Sequence, residues 1–152
     1  MSACLRTRWA VAIGLALAAS SGCGDGGSSP LDPDEEWAEP GLLLGSWVAT
    51  RVEHRRQSDP GTVAVVTDTF TLVVDSIGRY TAMLTPSGAR EDGWIRVLPP
   101  SVIFRPTSPA AQDSPGSLTV RGDTVGIVGD STFDFGTGAE EPSTLEIDLI
   151  PS

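Results

Sequence analysis

The sequence contains no lysine and no asparagine, and its ten arginines are set against 20 aspartates and glutamates, for a formal net charge of −10. Nucleic-acid binding requires clustered basic groups that displace counterions, and electrostatic adhesion to anionic lipid requires basic clusters as well. This charge balance therefore argues against a nucleic-acid partner and against electrostatic attachment to a membrane. It favours solubility and leaves the fold open.

Histidine and cysteine are also scarce, since the chain has one histidine, His54, and two cysteines, Cys4 and Cys23. A zinc site of His and Cys ligands needs more such residues, and nucleophilic catalysis needs a base beside a Ser or Cys. We expect His54, next to Glu53 and two arginines, to be an exposed strand-end residue. The many acids single out no carboxylate pair for glycoside chemistry. We predict no enzyme, no metal and no cofactor.

The first 22 residues have the layout of a secretory signal peptide. Arg6 and Arg8 form a positive start, residues 9–19 are an apolar run, and small residues follow it. The run is too short to cross a bilayer as a helix, which needs about 20 apolar residues. A buried core helix is the alternative, but the run lies at the very start of the chain. We predict that residues 1–22 are removed.

Ser21-Gly22-Cys23 resembles the lipobox of bacterial lipoproteins, in which a peptidase cuts before a cysteine that carries a diacylglycerol. Ser20 departs from the family pattern, which prefers leucine there. The resemblance implies acylation of Cys23 with palmitate-like chains and, because Gly24 follows instead of Asp, sorting to the outer membrane. Cleavage also removes Cys4, so acylation would leave the mature chain no free thiol.

Residues 23–40 are predicted to be an acylated cysteine followed by a flexible acidic linker. Gly, Ser, Pro and acidic residues dominate residues 24–40, and they show no apolar period. Such a segment cannot bury enough surface to offset its ordering entropy. Its expected r.m.s. reach is roughly 23 Å. The linker would join the membrane lipid to a single domain, residues 41–152.

The domain has the pattern of an all-β barrel or sandwich, because β-branched residues are frequent and turn signals recur at short intervals. Pro, Ser and Ala mark residues 106–116 as the longest loop. No stretch has a convincing helical period. The predicted strands are 45–56, 63–75, 79–85, 93–98, 101–105, 117–121, 124–128, 131–136 and 143–150.

Three short motifs have an ordinary structural interpretation. Gly129-Asp130 and Gly122-Asp123 are typical of tight turns. Arg121, before the second of these, completes an integrin-like triplet that we interpret as a hairpin turn. Arg51, Arg55 and Arg56 form a basic patch that either meets an anionic ligand or balances nearby acids, and we favour the second interpretation.

Gly45-Ser46-Trp47 at the start of the first strand resembles the lipocalins and lipocalin-like bacterial domains, in which this Trp plugs the closed end of an up-and-down barrel. Further similar pieces follow in the expected order over most of residues 44–150. The resemblance implies an antiparallel barrel of about eight to nine strands, with Gly45 and Trp47 as structural residues at one end. Two features depart from it: the last strand lacks an Arg, and no C-terminal helix follows. Another β-sandwich or barrel is the alternative.

An eight-stranded barrel has an interior just wide enough for side chains or for one small ligand. The resemblance implies a small apolar guest such as a fatty acid, making the protein a membrane-anchored binding module. The alternative is a structural or protein-interaction lipoprotein of the cell envelope without a small-molecule ligand. Candidate lining residues, which are equally good core residues, are Phe70, Leu72, Val74, Tyr80, Phe104 and Phe133.

Overall fold

The computed structural model describes residues 33–107 and 112–152. The predicted signal segment, Cys23 and the first part of the linker lie outside these ranges. Inside them, no helix has the length and apolar character needed to cross a bilayer. The described elements are α1 Pro33–Trp37, a 3-10 turn Gly41–Leu43, β1 Gly45–Arg56, β2 Val63–Val65, β3 Thr69–Val74, β4 Arg79–Thr85, β5 Arg90–Leu98, β6 Ser101–Pro106, β7 Ser114–Arg121, β8 Thr124–Phe133 and β9 Glu141–Pro151.

Eight of these strands close into an antiparallel barrel with up-and-down connections. The order is β1-β3-β4-β5-β6-β7-β8-β9, and β9 returns to β1 from the pair Trp47–Pro151 to the pair Arg56–Ser143. The ninth strand, β2, pairs with the last part of β1 only. The prediction of an all-β, up-and-down antiparallel barrel is confirmed.

The predicted strand 63–75 is divided into β2 and β3, and an irregularity in β1, the strand with which both pieces pair, accounts for the division. β1 has a register shift between Ala49 and Arg51, and a bulge bends and twists the strand that carries it. The following chain therefore pairs with β1 in two pieces, β3 with residues 45–48 and β2 with residues 53–55.

The predicted strand 124–128 and the first half of the predicted strand 131–136 belong to one long strand, β8, Thr124–Phe133, while residues 134–136 lie in the connection that follows it. The turn predicted at Gly129-Asp130 is wrong, because Gly129 continues the ladder opposite Gly116 of β7 and Leu145 of β9. A glycine inside a strand marks a close approach of two backbones as readily as it marks a turn. The turn at Gly122-Asp123 is present, and Gly122 adopts a φ of +61° that suits glycine.

The barrel has two different ends. At the plugged end, short turns at residues 75–78, 99–100 and 122–123 surround the start of β1. At the loop end lie the longer connections, residues 57–62, 86–89, 107–113 and 134–140. The alternation of each strand turns one set of side chains inward. The buried apolar core that results contains Leu43, Val52, Phe70, Leu72, Val74, Tyr80, Leu84, Ile95, Val97, Val102, Leu118, Val125, Ile127, Ile147 and Leu149.

Residues 33–44, named the strap here, run beside the edge of β5, where Glu39 forms a parallel bridge with Arg96, and reach the core at Leu43. Glu39 donates its N–H to Ile95 O (2.9 Å) and accepts from Val97 N–H (2.7 Å). The Trp37 ring stacks under the Arg105 guanidinium, 3.8 Å from its centroid. Where the sequence predicts a linker, its described part is thus ordered, because β5 extends past the β3–β4 hairpin and exposes backbone groups that need partners.

Candidate functional site

The plugged end is closed by Leu43, whose side chain is completely buried. Trp47 Nε1 donates a hydrogen bond to the Leu43 carbonyl (2.9 Å), so the indole holds the end of the strap in place. The structure places the predicted barrel-end residues here, since Gly45 pairs with Val74 at the start of β1. Gly45 has a φ of +117°, which favours glycine. Sequence analysis did not identify Leu43, which precedes the first predicted strand.

The six predicted lining residues all lie on the inner face, but they divide into two groups. Leu72 and Val74 are packed inside the core near the plugged end, where they pair with Trp47 and Gly45. Phe70 also belongs to this core, and Phe104 packs partly buried against it. Tyr80 contacts Phe104 edge to face, with ring centroids 5.2 Å apart. Phe133, on β8, belongs to a separate aromatic cluster with His54 and Phe135.

Glu91 is an inner-face acid that sequence analysis missed. It pairs with Ala82, and its Oε1 accepts a hydrogen bond from the Tyr80 hydroxyl (2.6 Å). Burial raises the pKa of the Glu91 carboxyl, and the Tyr80 bond partly opposes that rise. Burial and the neighbouring carboxylate also raise the pKa of Tyr80. The predicted strand began at Gly93; continuing its alternation back by two residues would have turned Glu91 inward.

His54 is buried, with 3% of its surface exposed, so the expectation of an exposed strand-end residue is wrong. It pairs with Leu145 of β9 on the inner face of the barrel. Its Nδ1 lies 3.1 Å from Ser143 Oγ, and its ring stacks on Phe133 with centroids 4.3 Å apart. Burial lowers the pKa of His54 to about 4. The imidazole is therefore neutral at physiological pH.

The basic patch predicted on β1 is divided between two faces of the barrel. Arg51 lies outside and bonds Asp148 (2.7 Å) and Glu53 (2.9 Å), which confirms that it balances local acids. Arg56 instead packs over the Phe135 ring, 4.8 Å from its centroid, with its Nε 2.8 Å from a Glu141 carboxylate oxygen. This ion pair lies next to the His54 stack, because Arg56 pairs with Ser143.

Three serines continue the polar lining across β7, β8 and β9. Ser131 pairs with Ser143, and Ser114 pairs with Phe104, so all three share the inner face. Ser143 is completely buried and is bonded to His54. Ser114 is only 7% exposed, and its hydroxyl is buried without a hydrogen-bond partner. A buried polar group of this kind costs about 1–3 kcal/mol, unless a water or a ligand satisfies it.

Together, these inner-face residues form a polar arc inside an otherwise apolar wall. The arc offers hydrogen-bond donors and acceptors next to aromatic rings, which is the usual composition of a small-molecule site. The Ser143 hydroxyl has no exposed surface, so the Ser143–His54 pair is not placed to attack a substrate arriving from water. The residues of the polar arc are His54, Tyr80, Glu91, Ser114, Ser131 and Ser143.

A concavity of about 320 Å³ lies on the outer face and is lined by residues that include Val73, Thr81, Arg90 and Asp92. Its two aspartates and two arginines balance in charge, and Arg90 is paired with Asp92. Asp92 accepts bonds from Thr81 Oγ1 (2.6 Å) and Arg90 Nε (2.8 Å), and these contacts lower the pKa of its carboxyl. This concavity therefore has no net charge. The polar arc differs from it in having a buried hydroxyl, that of Ser114, without a hydrogen-bond partner.

No protein-family model matches the chain, and no curated protein matches it significantly. Within residues 33–107 and 112–152, no cluster of three or more His, Cys, Asp or Glu side chains is arranged to hold a metal ion. The barrel, the polar arc and the N-terminal sequence are therefore the features that bear on function.

Proposed function

We propose that this protein is a bacterial envelope lipoprotein whose lipocalin-like barrel binds one small, largely apolar molecule beside the polar arc. The closed up-and-down barrel supports the lipocalin-like assignment, as does the Gly45-x-Trp47 start of β1 beside a plugged end. The lipoprotein assignment rests on the sequence of residues 1–24, which combines a signal-like segment with a lipobox-like cysteine.

The membrane anchor is the lipid on Cys23, and the proposed location is the outer membrane, because Gly24 follows the cysteine. One acyl chain gives only marginal binding, so two or three chains are needed for stable attachment. Intact-mass analysis of the protein from membranes tests this. We expect a mature chain that starts at an acylated Cys23, and a Cys23→Ser variant that leaves the membrane fraction. A bare thiol on an uncut chain would contradict the anchor.

The observation that carries the binding proposal is the unpartnered Ser114 hydroxyl on the inner face. Its neighbour across the ladder is Phe104, which contacts Tyr80. A ligand with an aromatic or aliphatic body and one hydrogen-bonding group would satisfy the hydroxyl while packing on these rings. Since side chains fill the core towards Leu43, this ligand would sit in the half of the barrel nearer the loop end.

A fluorescence titration of the full-length protein with N-phenyl-1-naphthylamine, an apolar amine with one N–H, tests the site. We expect saturable enhancement with the native protein and much weaker enhancement with Ser114→Val. Ser117→Val is the matched control, because Ser117 is an exposed residue on the same strand. Equal enhancement in both variants would contradict a site at Ser114. Native mass spectrometry of protein extracted from cells would then identify the natural ligand.

A second candidate function is protein interaction through the edge of β2. This short strand lies at the end of the sheet order, and its Val63 and Val65 side chains are exposed. An unpaired strand edge is a ready template for a strand from another protein. Cross-linking in cells from a photoreactive residue at Val65 tests this. One reproducible partner would favour interaction, and an empty result would favour ligand binding.

A further inference from the structure

The plugged end of the barrel carries a concentration of exposed apolar side chains. They come from the strap, from the β3–β4 turn and from the last residues of β5 and β7, which all meet at this end. Their exposed fractions run from 37% to 55%. We name this set the apolar rim: Leu42, Leu44, Ile77, Leu98 and Val120.

Acidic residues, in contrast, are concentrated at the loop end of the barrel. Counted with the strand residue on either side, the four loop-end connections, residues 56–63, 85–90, 106–114 and 133–141, contain five acids and two arginines. Around the plugged-end turns, two aspartates are accompanied by two arginines, so this end is close to neutral. The residues concerned are Asp75, Arg79, Arg121 and Asp123 at the plugged end, and Arg56, Asp59, Arg90, Asp113, Asp134, Glu140 and Glu141 at the loop end.

From this polarity we propose that the apolar rim rests on the surface of the lipid bilayer. Apolar side chains gain free energy by entering the headgroup–acyl boundary, while anionic headgroups repel the acidic loop end. A neutral, apolar face directed at the lipid and an acidic face directed at water satisfy both effects. The contact is hydrophobic, so it does not require the basic residues that this chain lacks.

The proposal rests on the lipid anchor at Cys23, and the length of the chain between Cys23 and the strap permits it. Cys23 precedes Pro33, the first described residue, by ten positions. Ten extended residues reach about 35 Å, which is enough to let either end of the barrel approach the membrane. The tether therefore sets only the distance, and the apolar rim selects the end. The loop end and the polar arc would then face away from the membrane.

The test places a nitroxide label at Leu98→Cys in the rim and, in a separate variant, at Thr137→Cys in a loop-end connection. Each full-length protein is reconstituted in vesicles of phosphatidylethanolamine and phosphatidylglycerol. We expect collisions of the Leu98 label with aqueous nickel complex to fall severalfold on reconstitution, while those with oxygen rise. The Thr137 label should stay accessible to nickel. Equal nickel accessibility at both labels would overturn the proposal.

A pair of double substitutions shows whether the rim side chains are responsible. Leu44→Ser with Ile77→Ser removes two rim residues that are 52% and 42% exposed, and Val63→Ser with Val65→Ser removes two apolar residues of β2 that are 38% and 62% exposed. Only the first pair should restore nickel access to the Leu98 label. The same restoration by both pairs would overturn the role of the rim.

Two further arms separate this inference from its premises. If mass analysis finds Cys23 unacylated, its thiol is coupled to a maleimide phospholipid in the same vesicles, and protection of Leu98 then still supports lipid contact by the rim. Loss of nickel access in vesicle-free solution that grows with protein concentration would instead show that a second copy of the chain covers the rim. That result would overturn the lipid proposal.

Discussion

His54 and Phe133 stack inside the barrel wall, with ring centroids 4.3 Å apart and planes 19° apart. They lie on β1 and β8, two strands separated by β9, so the contact spans the width of one strand. Ser143 of the intervening strand bonds the imidazole from β9. The only histidine of the chain is therefore held by two strands that join the barrel last in sequence.

The first prediction follows from the lowered pKa of His54, about 4 against an ordinary 6.5. Between these values the unfolded chain binds a proton that the folded chain refuses, so stability rises with pH across this window and is lost as pH falls through it. The loss amounts to up to about 3 kcal/mol. Urea unfolding from pH 7 to pH 4 should show it, and His54→Gln should flatten the profile. If the free energy of unfolding of that variant depended on pH as steeply as that of the native protein, a group other than His54 would be responsible.

Glu91 requires a control in that experiment, because its pKa is raised. A raised carboxyl pKa stabilises the folded state on the acid side and withdraws that stability as pH rises, which opposes the effect of His54. The profiles should therefore be repeated with Glu91→Gln, where the acid-induced loss from His54 should appear larger.

The second prediction concerns the Tyr80–Glu91 hydrogen bond of 2.6 Å. Tyr80→Phe leaves the buried carboxyl without its donor and should destabilise the protein by about 1–3 kcal/mol. Because removal of both partners leaves neither group unsatisfied, Tyr80→Phe combined with Glu91→Leu should cost less than the sum of the single changes. Urea unfolding of all four proteins measures this coupling. Strict additivity would show that the two side chains do not interact.

The third prediction contrasts two adjacent leucines of the strap. Leu43→Ala opens a cavity at the plugged end and should cost about 2–5 kcal/mol. Leu44→Ala changes a side chain that is half exposed, and should alter stability by less than about 0.5 kcal/mol. Thermal unfolding of the two variants compares them directly. Similar losses would mean that the strap does not seal the barrel.

The fourth prediction uses the close approach of strands at Gly93. A Cβ there would overlap Arg105 O and would lie only 2.8 Å from Pro106 Cα, so the backbone of β6 would have to move. Gly93→Ala should therefore destabilise the barrel by about 1–3 kcal/mol or more. Gly61→Ala is the control, since a Cβ at that loop position would approach only an Asp59 side chain, at 3.4 Å. Denaturant midpoints decide the comparison, and equal midpoints would refute the steric argument.

Several features of the barrel were readable from the sequence because they depend on local pattern. The alternation of Phe70, Leu72 and Val74 with polar residues predicts a strand with one buried face, and Gly122-Asp123 predicts a hairpin turn. Both are present. Gly129-Asp130 shows where a local signal fails, because the same residue types occur where two strands pack closely.

The sequence alone determined that the described chain is a succession of short antiparallel strands, because strand periodicity and turn chemistry are properties of neighbouring residues. Tertiary structure alone decided that His54, Glu91 and Ser114 face inward and that Glu39 of the strap pairs with the edge of β5. The inward direction of a polar side chain depends on the register of strands far apart in the chain, which barrel closure sets. The strap is ordered by hydrogen bonds to the backbone of β5. Nothing in the sequence of the strap itself indicates these partners.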